Sequence, residues 1–274
     1  MPCEQPLFFE LGDHRLFGML HLPEGRPRHG LVVCHALAEE KLWSHRVFVG
    51  LARELASRGM AVLRFDFRGE GESDLDFEQA GIASRIDDAV RAAEVLLEQQ
   101  PTLAGISFLG HRLGGAIAAA AAARLRGRAQ GLLVWDPLPS GHEYLMQLLR
   151  SNLAKQMAGN GKAPRTREAL IQALEAGETV LVDGYGIGRA LYRELIALDL
   201  PALLEALECP ALLIAAAEGP AKGSTAPRAQ AVGRGNIQHA SAREPAFWRE
   251  SKELCRCAPN MTAVSVQWLE RQLT

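Results

Sequence analysis

The chain has 274 residues, 48% of them apolar, with 30 Lys plus Arg against 32 Asp plus Glu. That is enough apolar side chain for a substantial core, and the charge balance, with no long run of one sign, argues against disorder and against nucleic acid as a partner. The opening residues lack the basic-then-apolar order of a signal peptide, and the longest apolar run, Leu113 to Ala123, falls short of the roughly 20 residues of a membrane span, so a cytoplasmic chain without a membrane span is expected.

Gln5 to Leu11 and Arg15 to Leu22 are β-type runs separated by Gly12-Asp13-His14, an opening hairpin at the antiparallel edge of a sheet. Gly30 to His35 is a continuous apolar run, the pattern of a strand covered on both faces. Ser44 is placed to cap a helix in which Val47, Phe48, Leu51 and Leu55 recur at helical spacing until Gly59. Met60 to Phe67 is the next strand, and Ile82, Ile86, Ala89, Val90, Ala93 and Leu97 mark an amphipathic helix. Thr102 to Gly110 then reads as strand, and a small-residue helix restarts at Leu113; Gly131 to Trp135 is another buried strand.

From Pro137 the strand-helix rhythm stops. Tyr144 to Met157, Arg167 to Leu174 and Ile187 to Leu198 look helical, and Thr179 to Val182 is a short strand, so this insert is read as a cap over the sheet. A short helix at Ala202 to Leu207 leads back to a buried strand, Pro210 to Ala216, then a weak strand at Asn236 to Ala240 and a closing helix from Met261 to Leu273. The expected organisation is a doubly wound α/β core over residues 1–138 and 206–274, interrupted by a helical cap at 139–205.

Gly110-His111-Arg112-Leu113-Gly114 has the glycine spacing of a nucleophile elbow, G-x-S-x-G, with arginine where the serine belongs. A guanidinium stays protonated and has no lone pair for attack on a carbonyl. Asp66-Phe67-Arg68-Gly69-Glu70-Gly71-Glu72-Ser73 resembles the D-x-R-G-x-G-x-S loop common in α/β-hydrolases, so the chain is similar to that superfamily in both motifs. More pointedly, Ala38-Glu39-Glu40 with Arg46, the Arg112 elbow, Trp135-Asp136-Pro137 with Ser140-Gly141, Gly184-Tyr185, Leu198-Asp199-Leu200 and Pro245-Ala246-Phe247-Trp248 resemble the exosortase A system-associated hydrolase 2 group along almost the whole length. The resemblance implies an α/β-hydrolase fold in a bacterial cytoplasmic protein connected to exopolysaccharide or envelope polysaccharide export. It also implies that an arginine at the elbow is usual, and it brings no established substrate.

A triad of this fold runs nucleophile, acid, histidine. The elbow supplies Arg112; the acid position after the strand ending at Ala216 offers Glu218; the stretch Ser241 to Pro245 has no histidine, and His239 is expected within the preceding strand. Substitute nucleophiles near the cleft are Cys34, whose blander reading is a small core residue, and Asp136, which equally serves to cap the loop at Pro137. The Gly184 to Gly188 run does not follow a strong strand, so dinucleotide binding is not expected; no spacing suits a metal, and five scattered cysteines without CxxC indicate reduced thiols, so no cofactor is expected.

Ligands in such sheets bind beyond the carboxyl ends of the strands, where His35, Ala36, His111, Arg112, Leu113 and Asp136 converge. A buried Arg112 needs a negative partner. Either Glu39 or Glu40 forms an internal ion pair with it, or an anionic or acyl ligand does. Three functions stay open: a pseudoenzyme binding such a ligand; a hydrolase or acyltransferase using Cys34, Asp136 or a bound water; and an interaction subunit docking a protein partner through a leucine stripe, Leu148, Leu149 and Leu153, on the cap.

Overall fold

A two-residue turn with Gly12 at φ +61° reverses the chain between β1 (Cys3–Leu11) and β2 (His14–Leu22), so the two pair antiparallel over their whole length. The computed structural model describes residues 3–160, 165–217 and 236–272. Strands and helices then alternate: β3 (His29–Cys34), α1 (Glu39–Ser57), β4 (Met60–Phe65), α2 (Ile82–Gln99), β5 (Ile106–His111), α3 (Leu113–Arg124) and β6 (Ala129–Trp135). The cap follows as α4 (Gly141–Asn160), α5 (Arg167–Ala176), a hairpin of β7 (Val180–Val182) and β8 (Tyr185–Ile187), α6 (Arg189–Ile196) and α7 (Leu200–Glu205). The core resumes with β9 (Ala211–Ala216), β10 (Ile237–Ala242) and α8 (Pro259–Gln272).

The eight core strands lie in the order β1-β2-β4-β3-β5-β6-β9-β10, parallel from β4 onward, with β2 antiparallel to β4. This is the α/β-hydrolase arrangement that the sequence predicts. Every residue of β3, β4 and β5 is buried because helices cover both faces, which is why these runs show no polar alternation. On one face α2, α3 and the cap close over Val32, Phe108 and Leu132; on the other α1 and α8 close over Leu31, Leu109 and Trp135. The alanines of α3 let that helix sit close on β5. A Cβ on Gly110 would meet the α3 backbone at Gly114, and one on Gly114 would meet the Cys34 carbonyl.

The Asp66 to Ser73 loop is knotted by charge. Lys41 Nζ donates to Asp66 Oδ1 at 2.7 Å and Glu70 Oε2 at 3.2 Å, and the fully buried Arg85 donates to Glu70 Oε1 at 3.2 Å and to the Ala80 carbonyl at 2.6 Å. Arg68 Nε reaches Asp88 Oδ1 at 2.6 Å, and Ser73 Oγ donates to the Asp66 carbonyl at 2.7 Å while accepting the Phe17 N–H at 2.9 Å.

Three local expectations change. Ser44 does not cap α1. The helix already starts at Glu39, after a turn with Ala38 at φ 53°, and the buried Ser44 hydroxyl donates to the Glu40 carbonyl at 2.6 Å. The short strand expected at Thr179 to Val182 is one arm of a hairpin, because Asp183-Gly184, both at positive φ, fold β8 back on β7, and the helix expected to start at Ile187 starts at Arg189. The leucine stripe of α4 is turned inward: Leu149 is fully buried, and Leu148 and Leu153 pack against the same core. Among the described residues no helix is long and apolar enough to cross a membrane.

Candidate functional site

Three adjacent interior strands lead, at their carboxyl ends, into strained backbone. After β3, β5 and β6 come Ala38 at φ 53°, Arg112 at φ 55° and Asp136 at φ 48°, a region that costs a non-glycine residue about 1–3 kcal/mol and gathers at functional sites. Arg112 thus holds the elbow conformation and rises above the sheet as a nucleophile would. The Arg112 N–H is fixed to the Trp135 carbonyl at 2.9 Å and the Asp136 N–H to the Ile214 carbonyl at 2.8 Å.

The Arg112 side chain is 7% exposed and every arm of its guanidinium is occupied. Nε and Nη2 donate to Glu40 Oε1 at 3.1 and 2.9 Å, and Nη1 donates to Asp136 Oδ2 at 2.9 Å. Glu40 Oε2 accepts the Tyr144 hydroxyl at 3.0 Å. The guanidinium carbon lies 5.6 Å from the Tyr144 ring centroid and 5.4 Å from that of Trp248, within cation–π range. Burial works against the Arg112 charge, but Glu40 and Asp136 outweigh it and its pKa rises. Burial also raises Asp136, despite the pull of Arg112, and lifts the Tyr144 hydroxyl well above its ordinary range. Two carboxylates thus share one guanidinium, a formal excess of one negative group.

Above it opens a cavity of about 640 Å³ with Glu40 and Arg112 at its floor. Trp43, Phe77, Tyr144, Tyr185 and Trp248 supply ring walls, and Leu37, Leu148, Val182 and Ile187 supply aliphatic ones. At the lining Lys155 bridges Asp183 at 3.3 Å and Glu250 at 3.4 Å, while the side chains of Arg150 and Arg249 make no hydrogen bond or ion pair among the described residues. Volume and lining are those of a small-molecule site.

The expected site residues divide sharply. Arg112, Glu40 and Asp136 come together, and Glu39 lines the cavity beside them without joining the ion pair. His35 and His111 do not line it. His111 ends β5 with its ring turned to the α1 and α8 layer, 5.3 Å from Phe247 in a stacked arrangement and 5.2 Å from Phe48, and His35 lies edge-on to Phe48 at 5.4 Å. Burial holds both imidazoles neutral, far below the ordinary histidine range. Ala36 and Leu113 are buried beneath the elbow. Cys34 is fully buried, and burial pushes its thiol up, away from the thiolate a nucleophile needs. His239 is exposed on the edge strand β10. Glu218 lies outside the described residues.

Sequence reasoning missed Tyr144 and Trp248 as site residues. Trp248 follows β10, where a triad histidine would come, and its ring covers Arg112 from that side. Among the described residues, no histidine and no cysteine lines the cavity, and no group of His, Cys, Asp and Glu is placed to hold a metal ion. The arrangement offers hydrogen bonds, ring faces and separated charges, without a nucleophile paired to a base.

The sequence model of the serine aminopeptidase S33 family matches residues 25–185. A monoacylglycerol lipase from Mycolicibacterium smegmatis is 27% identical over 143 residues, 52% of this chain and 49% of that protein, so the chain spans about half the length of the relative it matches. Est1E from Butyrivibrio proteoclasticus with ferulic acid bound superposes with a TM-score of 0.71 at 17% identity, over 97% of this chain and 99% of that one. A proline iminopeptidase from Mycobacterium smegmatis gives 0.64 at 15% identity, over 98% and 99%. At these identities the structural likeness speaks for the fold.

Proposed function

The chain belongs to the serine aminopeptidase S33 family, and on that premise we propose that it keeps the pocket of an α/β-hydrolase without the serine-hydrolase chemistry, binding a small acyl or anionic ligand and not cleaving it. The observation that carries this reading is an arginine in the nucleophile's place at the elbow, held there by Glu40 and Asp136. Loss of the serine from such a triad removes on the order of 10⁶ in turnover, and here Trp248 also stands on the histidine's side. Substitute nucleophiles fare no better: Cys34 is sealed in the core, and Asp136 is tied to Arg112.

Two features support the ligand class. Aliphatic and ring walls suit an acyl or aromatic body, in keeping with likeness to a monoacylglycerol lipase over about half its length. An anionic group of the ligand meets Arg150 and Arg249, whose side chains make no hydrogen bond or ion pair among the described residues, rather than Arg112, which is already held by two carboxylates. The resemblance to the exosortase-associated group supports a place in a bacterial envelope polysaccharide pathway, with the protein partner of that pathway left to binding experiments.

The test is turnover of short- and medium-chain esters and thioesters by the wild type and by Arg112→Ala. Neither protein is expected to exceed buffer. Turnover by the wild type that Arg112→Ala abolishes overturns the reading and makes Arg112 a clamp on the substrate.

A further inference from the structure

The charges lining the cavity do not cancel locally. Arg112 answers Glu40 and Asp136, and Lys155 answers Asp183 and Glu250. Lys41, at the back of the same wall, is committed to Asp66 and Glu70, and Arg85 completes that group with two charges of each sign. Among the described residues Glu39 is the one carboxylate at the cavity with neither a hydrogen bond nor an ion pair. It opens α1 and stands next to the floor cluster, where two carboxylates share one guanidinium.

Around that carboxylate the wall is aromatic. Trp43 lies one turn further along α1, on the same face as Glu39, and lines the same cavity. Tyr185, on β8, packs against Phe77 with ring centroids 5.0 Å apart, and both line the cavity. Tyr185 is close enough to Glu39 that, after burial, this carboxylate is the largest influence raising the phenol's pKa. Ring faces are electron-rich, and a free carboxylate among them favours a weakly hydrated cation and repels an anion.

We propose that the Glu39 end of the cavity is a subsite for an organic ammonium group, with Glu39 as its counter-charge and Trp43, Phe77 and Tyr185 as its ring wall. The inference rests on the reading of the cavity as a small-ligand site and adds the chemistry of the ligand's head. A quaternary or primary ammonium suits the place better than a metal ion, which needs several oxygen ligands where Glu39 supplies one carboxylate. The acyl or aromatic body then extends along Leu148, Val182 and Ile187 toward Arg150 and Arg249.

The experiment is calorimetric titration of the full chain with three probes of one shape: choline, its neutral isostere 3,3-dimethyl-1-butanol, and the anion 3,3-dimethylbutanoate. Choline is expected to bind about tenfold or more tightly than the alcohol, while any binding of the carboxylate, taken at the Arg150 and Arg249 end, is expected to be no weaker in Glu39→Gln. Glu39→Gln removes the preference for choline over the alcohol, while Tyr185→Leu weakens choline and leaves the alcohol nearly unchanged. Thermal midpoints of both variants, read alongside, establish that they fold. Equal binding of choline and alcohol, retention of the preference in Glu39→Gln, or no detectable choline binding each overturns the ammonium subsite. None of these outcomes bears on ester turnover, so the non-catalytic reading stands or falls by its own assay.

Discussion

Two ion clusters flank the start of α1, and they are built to different rules. Beneath the Asp66 to Ser73 loop, Lys41 and Arg85 meet Asp66 and Glu70 in a balanced group whose innermost members, Arg85 and Glu70, are 0% and 4% exposed. At the elbow, Arg112 alone answers Glu40 and Asp136, whose side chains are 12% and 20% exposed, much as Lys41 and Asp66 are at 13% and 20%, but here Glu40 and Arg112 line the cavity. The sealed cluster satisfies itself and holds a loop in place. The open one leaves a surplus negative charge facing a space where a ligand fits. Balance in one and surplus in the other separate a motif kept for shape from a position kept for contact with something outside the chain.

The largest effect expected from this contrast comes from Arg85→Met. Removing the cation from the sealed cluster leaves Glu70 buried with one partner fewer and costs about 3–5 kcal/mol in denaturant unfolding. Arg112→Met costs less, about 1–3 kcal/mol, because Glu40 and Asp136 can recruit water from the cavity. Adding Asp136→Asn to Arg112→Met should recover part of that loss. A loss from Arg112→Met equal to that from Arg85→Met would show that the elbow cluster is as sealed as the other.

A third test moves from carboxylates to the imidazoles. Burial lowers the pKa of His21 and of His29 to about 4 from an ordinary 6.5, and it holds His35 and His111 well below the ordinary value as well. The unfolded chain therefore binds more protons than the folded one below pH 6.5. Stability is full above that pH and falls as pH drops from about 6.5 toward 4. His111→Met should shallow this decline by about 1.4 kcal/mol for each pH unit, measured by urea unfolding across the window. The smallest effect is expected at an exposed pair: Arg124→Ala, which breaks the bond to Asp87, shifts stability by under about 0.5 kcal/mol and sets the scale for the rest.

Much of the fold was legible because its signals are local. The fully apolar β3 and β5, the period of α2 and the glycines around Arg112 each follow from residues close together in sequence. The site was legible only in part, since its contacts join distant positions: Arg112 with Glu40 across 72 residues and Tyr144 with Glu40 across 104. Position in the chain could not choose Glu40 over Glu39, because the turn at Ala38 decides which of two neighbouring carboxylates points at the elbow. Nor could it send His111 backward into the Phe48 and Phe247 rings while its neighbour Arg112 points forward, although alternation at a strand end hints at opposite faces. The β7–β8 hairpin had a signal in Asp183-Gly184, a pair suited to a tight turn, which the neighbouring glycines obscured.

The reach of the Arg112 side chain has a consequence for how the molecule comes apart. One guanidinium fastens the start of α1 through Glu40, the end of β6 through Asp136, the cap through the face of Tyr144 and the segment after β10 through Trp248. Lifting the cap alone would strip Tyr144 from both Arg112 and Glu40 and admit water to the cluster, so the cap has no inexpensive open form of its own. Cap and core should therefore lose their structure in a single cooperative event, with the former seat of a nucleophile acting as the rivet between them.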